Sequence, residues 1–194
     1  MNKITKMFAT LFAAAAALVG ATHAAAQEKP VVDRERVLVV YYSWGGNTRQ
    51  AAQYIAGHTG AHTMEIVPVK PYSKDYNECV EQAKKEVQAE ATPEIKTPTV
   101  DLNKYDVVFI GTPNWWSSIA PPVRTFLEKN NFAGKKVALF VTHGSGGMAR
   151  CEKDAKELLS KATMLRSAAF EGSSISSAKE AVTKWVDGII SIRR

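Results

Sequence analysis

Three segments of this chain have almost no polar face. Val37 to Tyr42 reads V-L-V-V-Y-Y, Asp106 to Gly111 reads D-V-V-F-I-G, and Lys136 to Thr142 reads K-V-A-L-F-V-T. A strand with one face in water alternates apolar and polar residues, so continuous runs of this kind belong to strands covered on both sides. The chain supplies the covers. Apolar residues recur at helical spacing in Asn47 to Gly57, where Ala51, Ala52, Ile55 and Ala56 share a face. Asp75 to Ala91 reads as a charged amphipathic helix, and Pro122 to Lys129 as a short helix opened by prolines, which a first helical turn permits. Ala149 to Ser160 turns Cys151, Ala155, Leu158 and Leu159 inward. The last helix does the same with Ala178, Ala181, Val182, Trp185, Val186, Ile189 and Ile190. Thr63 to Val69 and Leu165 to Phe170 are weaker strand candidates, and Thr92 to Lys104 reads as a loop. Strands alternating with helices predict an α/β fold with a five-stranded parallel sheet and helices on both faces, a three-layer sandwich.

The 194 residues suit one such domain. No internal repeat is visible, and two cysteines make neither a disulfide scaffold nor a four-cysteine zinc site. His58 and His62 fall across a helix end and a glycine turn with no Cys or carboxylate cluster nearby, so no metal site is expected. The formal charge of +6 is dispersed, without an Arg-rich stripe interleaved with aromatics, which argues against nucleic acid as a partner. The first 26 residues read as a cleaved signal peptide. Lys3 and Lys6 precede an apolar run from Met7 to Ala21, and Ala24 and Ala26 fit the small-residue cleavage rule. That reading makes the protein exported, periplasmic or secreted, with no membrane span in the mature chain. Residues 27–35 form an N-terminal extension, and 36–194 form the domain.

In open parallel sheets ligands bind beyond the carboxyl ends of the strands, and the loops after strands one, three and four are the unusual ones. The first is Ser43-Trp44-Gly45-Gly46-Asn47-Thr48. Glycines free the backbone to turn N–H groups toward a ligand, and the following helix N-terminus carries partial positive charge. This reads either as a phosphate cradle without lysine or as a tight capped turn. The second is Thr112-Pro113-Asn114-Trp115-Trp116-Ser117-Ser118, whose adjacent indoles suit the core or the stacking of a flat ring. The third is His143-Gly144-Ser145-Gly146-Gly147-Met148. Its formal G-x-G-x-x-A match follows the wrong strand for a dinucleotide site.

Together the three loops resemble the flavodoxin family, and most closely the branch with Y-Y-S-W-G-G-N-T after the first strand and P-N-W-W after the third. The resemblance runs over nearly all of Arg36 to Ile192. It implies the flavodoxin-like strand order 2-1-3-4-5 and one FMN as cofactor. The phosphate would lie on Ser43, Gly45, Gly46, Asn47 and Thr48, with Trp44 in the same loop. The isoalloxazine would lie between Pro113, Asn114, Trp115, Trp116 and Ser117 on one side and His143, Gly144, Ser145, Gly146 and Gly147 on the other. Either Trp115 or Trp116 would pack on the flavin. Gly45 stands where the family usually has a hydroxyl residue, the third loop carries no aromatic to cover the outer flavin face, and the chain is basic where flavodoxins are strongly acidic. These departures imply a higher potential and room for a substrate.

Three functions compete on this reading. One is an exported FMN electron carrier between redox partner proteins. Another is an FMN oxidoreductase acting on a quinone or other small electron acceptor, with His143 as a catalytic proton or hydrogen-bond donor. The third is a flavin-binding protein without redox turnover. Cys79 and Cys151 read either as separate packed thiols, which the assumed topology favours, or as a disulfide formed after export. Tyr72 and Tyr76 are expected either in the core or at the border of the site.

Overall fold

The computed structural model describes residues 29–193, so the signal-peptide reading of residues 1–26 lies outside the described residues. A short strand β1 (Val31–Val32) precedes the first buried strand, β2 (Val37–Tyr41). The chain then forms α1 (Asn47–Thr59), β3 (His62–Glu65) and α2 (Tyr76–Gln88). Asp75 caps α2 by accepting from the Glu78 N–H at 3.0 Å. Next come β4 (Val107–Trp115), β5 (Ser118–Ile119) and α3 (Pro121–Lys129), the last starting on two prolines. The chain ends with β6 (Lys136–His143), α4 (Cys151–Leu158), β7 (Thr163–Met164), β8 (Ala168–Glu171), α5 (Lys179–Asp187) and β9 (Ser191–Ile192).

The main sheet runs β3-β2-β4-β6, with β7 and β8 both pairing with β6, and all of these pairs are parallel. The sheet therefore has the expected parallel order, but the fifth strand is broken into two pieces. Leu165 N–H still donates to Val137 O of β6 at 2.8 Å, but Arg166 and Ser167 interrupt the strand, and Arg166 O accepts from Trp185 Nε1 at 2.9 Å. The second strand is shorter than Thr63 to Val69. After Glu65 the chain turns toward residues 94–97, where Val69 N–H donates to Glu94 O at 2.9 Å and Lys96 N–H to Val67 O at 2.7 Å. The loop expected from Thr92 thus covers the sheet edge. Two-residue β1 and β9 form a separate parallel pair that joins the two ends of the described segment.

Two apolar layers hold the sheet. Val37, Val39, Phe109, Ala138 and Phe140 pack on α1 and α5. Leu38, Val40, Val108, Ile110, Val137, Leu139 and Val141 pack on the layer containing α3 and α4. Alternate residues of each central strand thus enter opposite layers, and both layers are buried, as the continuous runs require.

Candidate functional site

The carboxyl ends of β2, β4, β6 and β8 emerge at one edge of the sheet and border a cleft of about 540 Å³. Of the residues singled out from sequence, Ser43, Trp44, Gly45, Asn47, Thr48, Pro113, Asn114, Trp115, Trp116, His143 and Gly144 line it. Gly46, Ser117, Ser145, Gly146 and Gly147 do not. They shape the turns behind the lining. Sequence reasoning missed Thr142, Cys79, Val80 and Ala83, and also Gly172 and Ser173 after β8. Tyr76 borders the cleft, whereas Tyr72 is buried behind it.

One end of the cleft is polar. Gly46 has φ +94°, and its N–H donates to Ser43 Oγ at 3.1 Å. The first helical bond of α1 is Gln50 N–H to Gly46 O at 2.9 Å. The preceding amides of Asn47, Thr48 and Arg49 therefore have no helical partner. No side chain caps this helix and no acid stands in its first turn. An uncapped helix start with free N–H groups attracts an anion. A Cβ on Gly45 would meet nothing within 4 Å, so the space above the turn is open. Thr48 Oγ1 lies 2.7 Å from Thr142 Oγ1, a buried bond that locks the first loop to β6.

The other end is apolar and aromatic. The segment expected as a loop is a hairpin. Pro113, Asn114 and Trp115 continue β4, which pairs antiparallel with β5. Trp116 and Ser117 form its turn with φ +51° and +67°. Two successive positive φ values give the turn twist that matches antiparallel strands, usually with Asn or Gly there. A tryptophan in that conformation costs about 1–2 kcal/mol, so its neighbours must hold it. Trp116 Nε1 donates to Val80 O at 3.0 Å, and Lys84 Nζ lies 5.0 Å above its ring. Behind the turn, Arg150 N–H donates to Ser117 O at 2.9 Å and Ser118 Oγ to Asp154 Oδ2 at 2.5 Å.

Trp115 is set differently. It meets Tyr42 and Tyr72 edge-on, with centroids 5.5 and 4.8 Å away. Tyr72 OH donates to Glu86. Burial first, then that carboxylate, pushes the Tyr72 hydroxyl pKa up, and burial does the same for Tyr42. Burial also raises the Cys79 thiol pKa, helped by Glu86. Cys79 and Cys151 are both free thiols.

Trp44 completes the rim, its Nε1 donating to Ser73 O at 2.9 Å with Tyr76 6.3 Å away. Trp44, Tyr76 and Trp116 are the large aromatics that stay exposed among the described residues. His143 ends β6 opposite Glu171, and its Nδ1 is buried with no partner. No helix starts at the glycines after it, because α4 begins at Cys151 and Ala149 has φ +43°. This removes the structural context for a dinucleotide fingerprint. His58 bonds Asp187 at 2.7 Å and His62 faces Tyr105, so the two histidines stand apart.

Among the described residues, no Asp, Glu, Lys or Arg lines the cleft. Its chemistry is therefore that of amides, hydroxyls and a helix dipole at one end and flat apolar rings at the other. That suits an elongated ligand with an anionic head and a planar ring.

Known proteins carry the same architecture. A flavoprotein from Bacteroides eggerthii superposes with a TM-score of 0.70 at 27% identity, covering 79% of this chain and 97% of its own. A flavoprotein from Bacteroides uniformis gives 0.71 at 28%, covering 78% and 97%. A flavoprotein from Lactobacillus acidophilus, solved in complex with FMN, gives 0.62 at 26%, covering 74% and 97%. The flavodoxin family pattern matches residues 36–189, which span β2 to the end of α5 and every wall of the cleft. The chain belongs to the flavodoxin family.

Proposed function

We propose that this protein binds one FMN in the cleft and works as an exported redox protein that transfers electrons between partners. The observation that carries the reading is the pairing of an uncapped α1 start with an aromatic wall at the opposite end of one cleft. Family membership and the FMN complex of the Lactobacillus acidophilus relative support the same ligand. FMN supplies the electron storage, and the protein supplies position and electrostatics.

The residues fit that group. Gly45, Asn47 and Thr48 line the cleft and would present amides to the phosphate, while the Gly46 N–H donates to Ser43 Oγ and so holds the turn that aims them. Trp116 and Trp115 wall the ring, while His143 and Gly144 approach from β6. Among the described residues no carboxylate lines the cleft to oppose negative charge on the reduced ring. The potential should therefore be higher than in an acidic flavodoxin.

A second reading is oxidation of a bound donor or reduction of a small acceptor such as a quinone. It is favoured by the His143 loop, which brings no aromatic over the ring, and by the unpartnered Nδ1 beside it. Anaerobic electrochemistry of the FMN-loaded protein separates the two. Two well-separated one-electron waves support the carrier. A single two-electron wave supports the oxidoreductase. Failure of FMN to bind at micromolar concentration removes both. Export rests on residues 1–26 alone, and N-terminal sequencing of protein recovered outside the cytoplasm should begin at Gln27.

A further inference from the structure

The amino ends of the strands lie at the sheet edge opposite the cleft, and register brings them to one level. Val37 pairs with Val107, Val107 with Lys136, and Lys136 with Thr163. The residues just before these positions therefore leave the sheet side by side. Backbone bonds join them. Asp106 N–H donates to Arg36 O at 2.8 Å, Lys136 N–H to Asp106 O at 3.1 Å, Thr163 N–H to Lys135 O at 2.8 Å, and Gly134 N–H to Lys161 O at 3.0 Å. Cations that are dispersed along the sequence thus meet in one row of Arg36, Lys104, Lys135, Lys136 and Lys161. Lys104 and Lys161 are exposed, and Lys135 Nζ donates to Tyr105 O at 3.0 Å, next to Lys104 in the chain. The acid inside the row is Asp106. Arg36 Nε and Nη2 each donate to it at 2.6 Å. That bond, and then the charges of Arg36, Lys135 and Lys136, hold its carboxyl below the usual range. Of the acids nearby, Asp33 pairs with Arg193 at 3.2 Å and Asp101 accepts from Asn103 N–H at 3.2 Å, while Glu35 stands exposed beside Arg36. The row keeps a clear excess of positive charge.

We propose that this row is a docking surface for a negatively charged phospholipid bilayer. Neighbouring strands are about 4.8 Å apart, so the row from β2 to β7 extends about 15 Å along one straight edge. A flat anionic surface can meet all of it at once. Most of its members are lysines, compact charges on flexible stems that suit diffuse attraction to headgroups better than a shaped, directional contact. An acidic protein partner would call for apolar or aromatic anchors within the patch. The large apolar side chains that stay exposed among the described residues are Val31, Trp44, Val67, Val69, Tyr76 and Trp116, and none belongs to the row. Among the described residues no helix is long and apolar enough to cross a membrane, so the contact is with the bilayer surface. Docking by this edge leaves the cleft, at the other end of the strands, facing away from the lipid and open to a partner. The proposal does not depend on which ligand the cleft holds.

The test is co-sedimentation with vesicles of equal parts phosphatidylglycerol and phosphatidylcholine, against vesicles of phosphatidylcholine alone. It uses the chain from Gln27 onward, which keeps every residue of both apolar layers and omits the apolar run of residues 7–21, a lipid binder in its own right. The protein should partition onto the anionic vesicles at low salt, release in high salt, and ignore phosphatidylcholine. Lys104→Gln combined with Lys161→Gln should weaken partition by about twentyfold, from about fivefold for each cation removed. Lys179→Gln combined with Lys184→Gln makes the same change in net charge at exposed positions of α5 and should alter partition by less than about twofold. Circular dichroism confirms that both variants fold. Absence of binding to the anionic vesicles overturns the proposal, as does equal binding to phosphatidylcholine. An equal loss in the α5 variant also overturns it, because net charge rather than the row would then be responsible. Retention on immobilised polyglutamate that requires Lys104 and Lys161, without vesicle binding, would assign the row to an acidic protein instead.

Discussion

Asn114 Nδ2 donates to Gly147 O at 2.9 Å, and this bond ties the tryptophan hairpin to the glycine loop after β6. Gly146 lies close by, where an added Cβ would come 3.0 Å from the same nitrogen. The two walls on the ring side of the cleft are thus one unit. Asn114→Ala should leave the protein folded, cost about 1 kcal/mol in stability, and weaken FMN several-fold. Asn114→Asp should be worse than Ala, because it turns a carboxylate oxygen toward the Gly147 carbonyl. Urea denaturation and flavin titration of both variants check this. Equal behaviour of the two would show that the bond does not hold the walls together.

The adjacent indoles should separate by assay. Trp115 is packed edge-on between Tyr42 and Tyr72, so Trp115→Ala opens a cavity and should cost about 3 kcal/mol by chemical denaturation. Trp116 is 45% exposed and lies on α2, so Trp116→Ala should change stability by less than about 1 kcal/mol. It should nonetheless weaken FMN, because an exposed flat ring at the cleft is removed. Comparable stability losses in both variants would contradict the division.

How much of this was legible beforehand follows from what each segment depends on. The buried strands Val37 to Tyr41 and Val107 to Gly111 could be read because a two-sided sheet leaves no polar alternation. The place of the Ser43 to Thr48 loop at the cleft could be read because glycine, hydroxyl and amide residues cluster between a buried strand and a helix. The hairpin at Trp116 could not. Its turn uses positive φ at a tryptophan and a serine, residues that carry no turn signal, and tertiary contacts with Val80 and Arg150 hold it. Gly172 and Ser173 were also hidden. A glycine followed by serines is an ordinary loop until strand register puts it beside His143. The α2 wall at Cys79, Val80 and Ala83 needed the angle of that helix across the sheet edge, which spacing along the chain does not contain.

The two thiols should differ in reactivity. Cys151 is fully buried, and burial, followed by Asp154, pushes its thiol pKa up to about 12. Cys79 borders the cleft, with its pKa also raised from the ordinary value of 9.0. Iodoacetamide should therefore label Cys79 slowly at neutral pH, faster as pH rises, and less in the presence of FMN. Cys151 should be labelled only on unfolding. Mass spectrometry of the labelled peptides decides it. Protection of neither thiol by FMN would place the ligand away from α2.

The same shifts set the alkaline limit of stability. The folded state keeps the Cys151 thiol protonated up to about 12, whereas the unfolded chain loses that proton near 9.0. Above the unfolded value the unfolded state binds fewer protons, so unfolding becomes easier as pH rises. The stabilisation is fully present below pH 9.0 and declines from there toward about 12. The buried Tyr42 and Tyr72 act in the same direction. Melting temperature should fall through this window, and the part of the tyrosinate absorbance that Tyr42 and Tyr72 contribute should appear only as the protein unfolds. Tyrosinate appearing in full while the fold persists would show that these side chains are not sequestered.

The clasp between β1 and β9 yields the last prediction. Val31 pairs with Ser191 and Val32 with Ile192, and Lys29 Nζ donates to Asp187 O at 2.9 Å. The two valines face opposite ways. Val32 is 4% exposed and joins the α5 layer, whereas Val31 is 59% exposed. Cleavage after Ala26 would leave Lys29 and both valines in the mature chain, so export and the clasp are compatible. Val32→Asp buries a carboxylate among apolar residues and should cost about 3 kcal/mol or more. Val31→Asp should stay within about 0.5 kcal/mol, as surface changes do. FMN affinity should be unchanged in Val31→Asp, and in Val32→Asp wherever it remains folded, because the clasp lies outside the cleft. Urea denaturation of the pair is decisive. Similar midpoints would mean that β1 lies loosely on the domain and that the apolar layer under α5 closes without it.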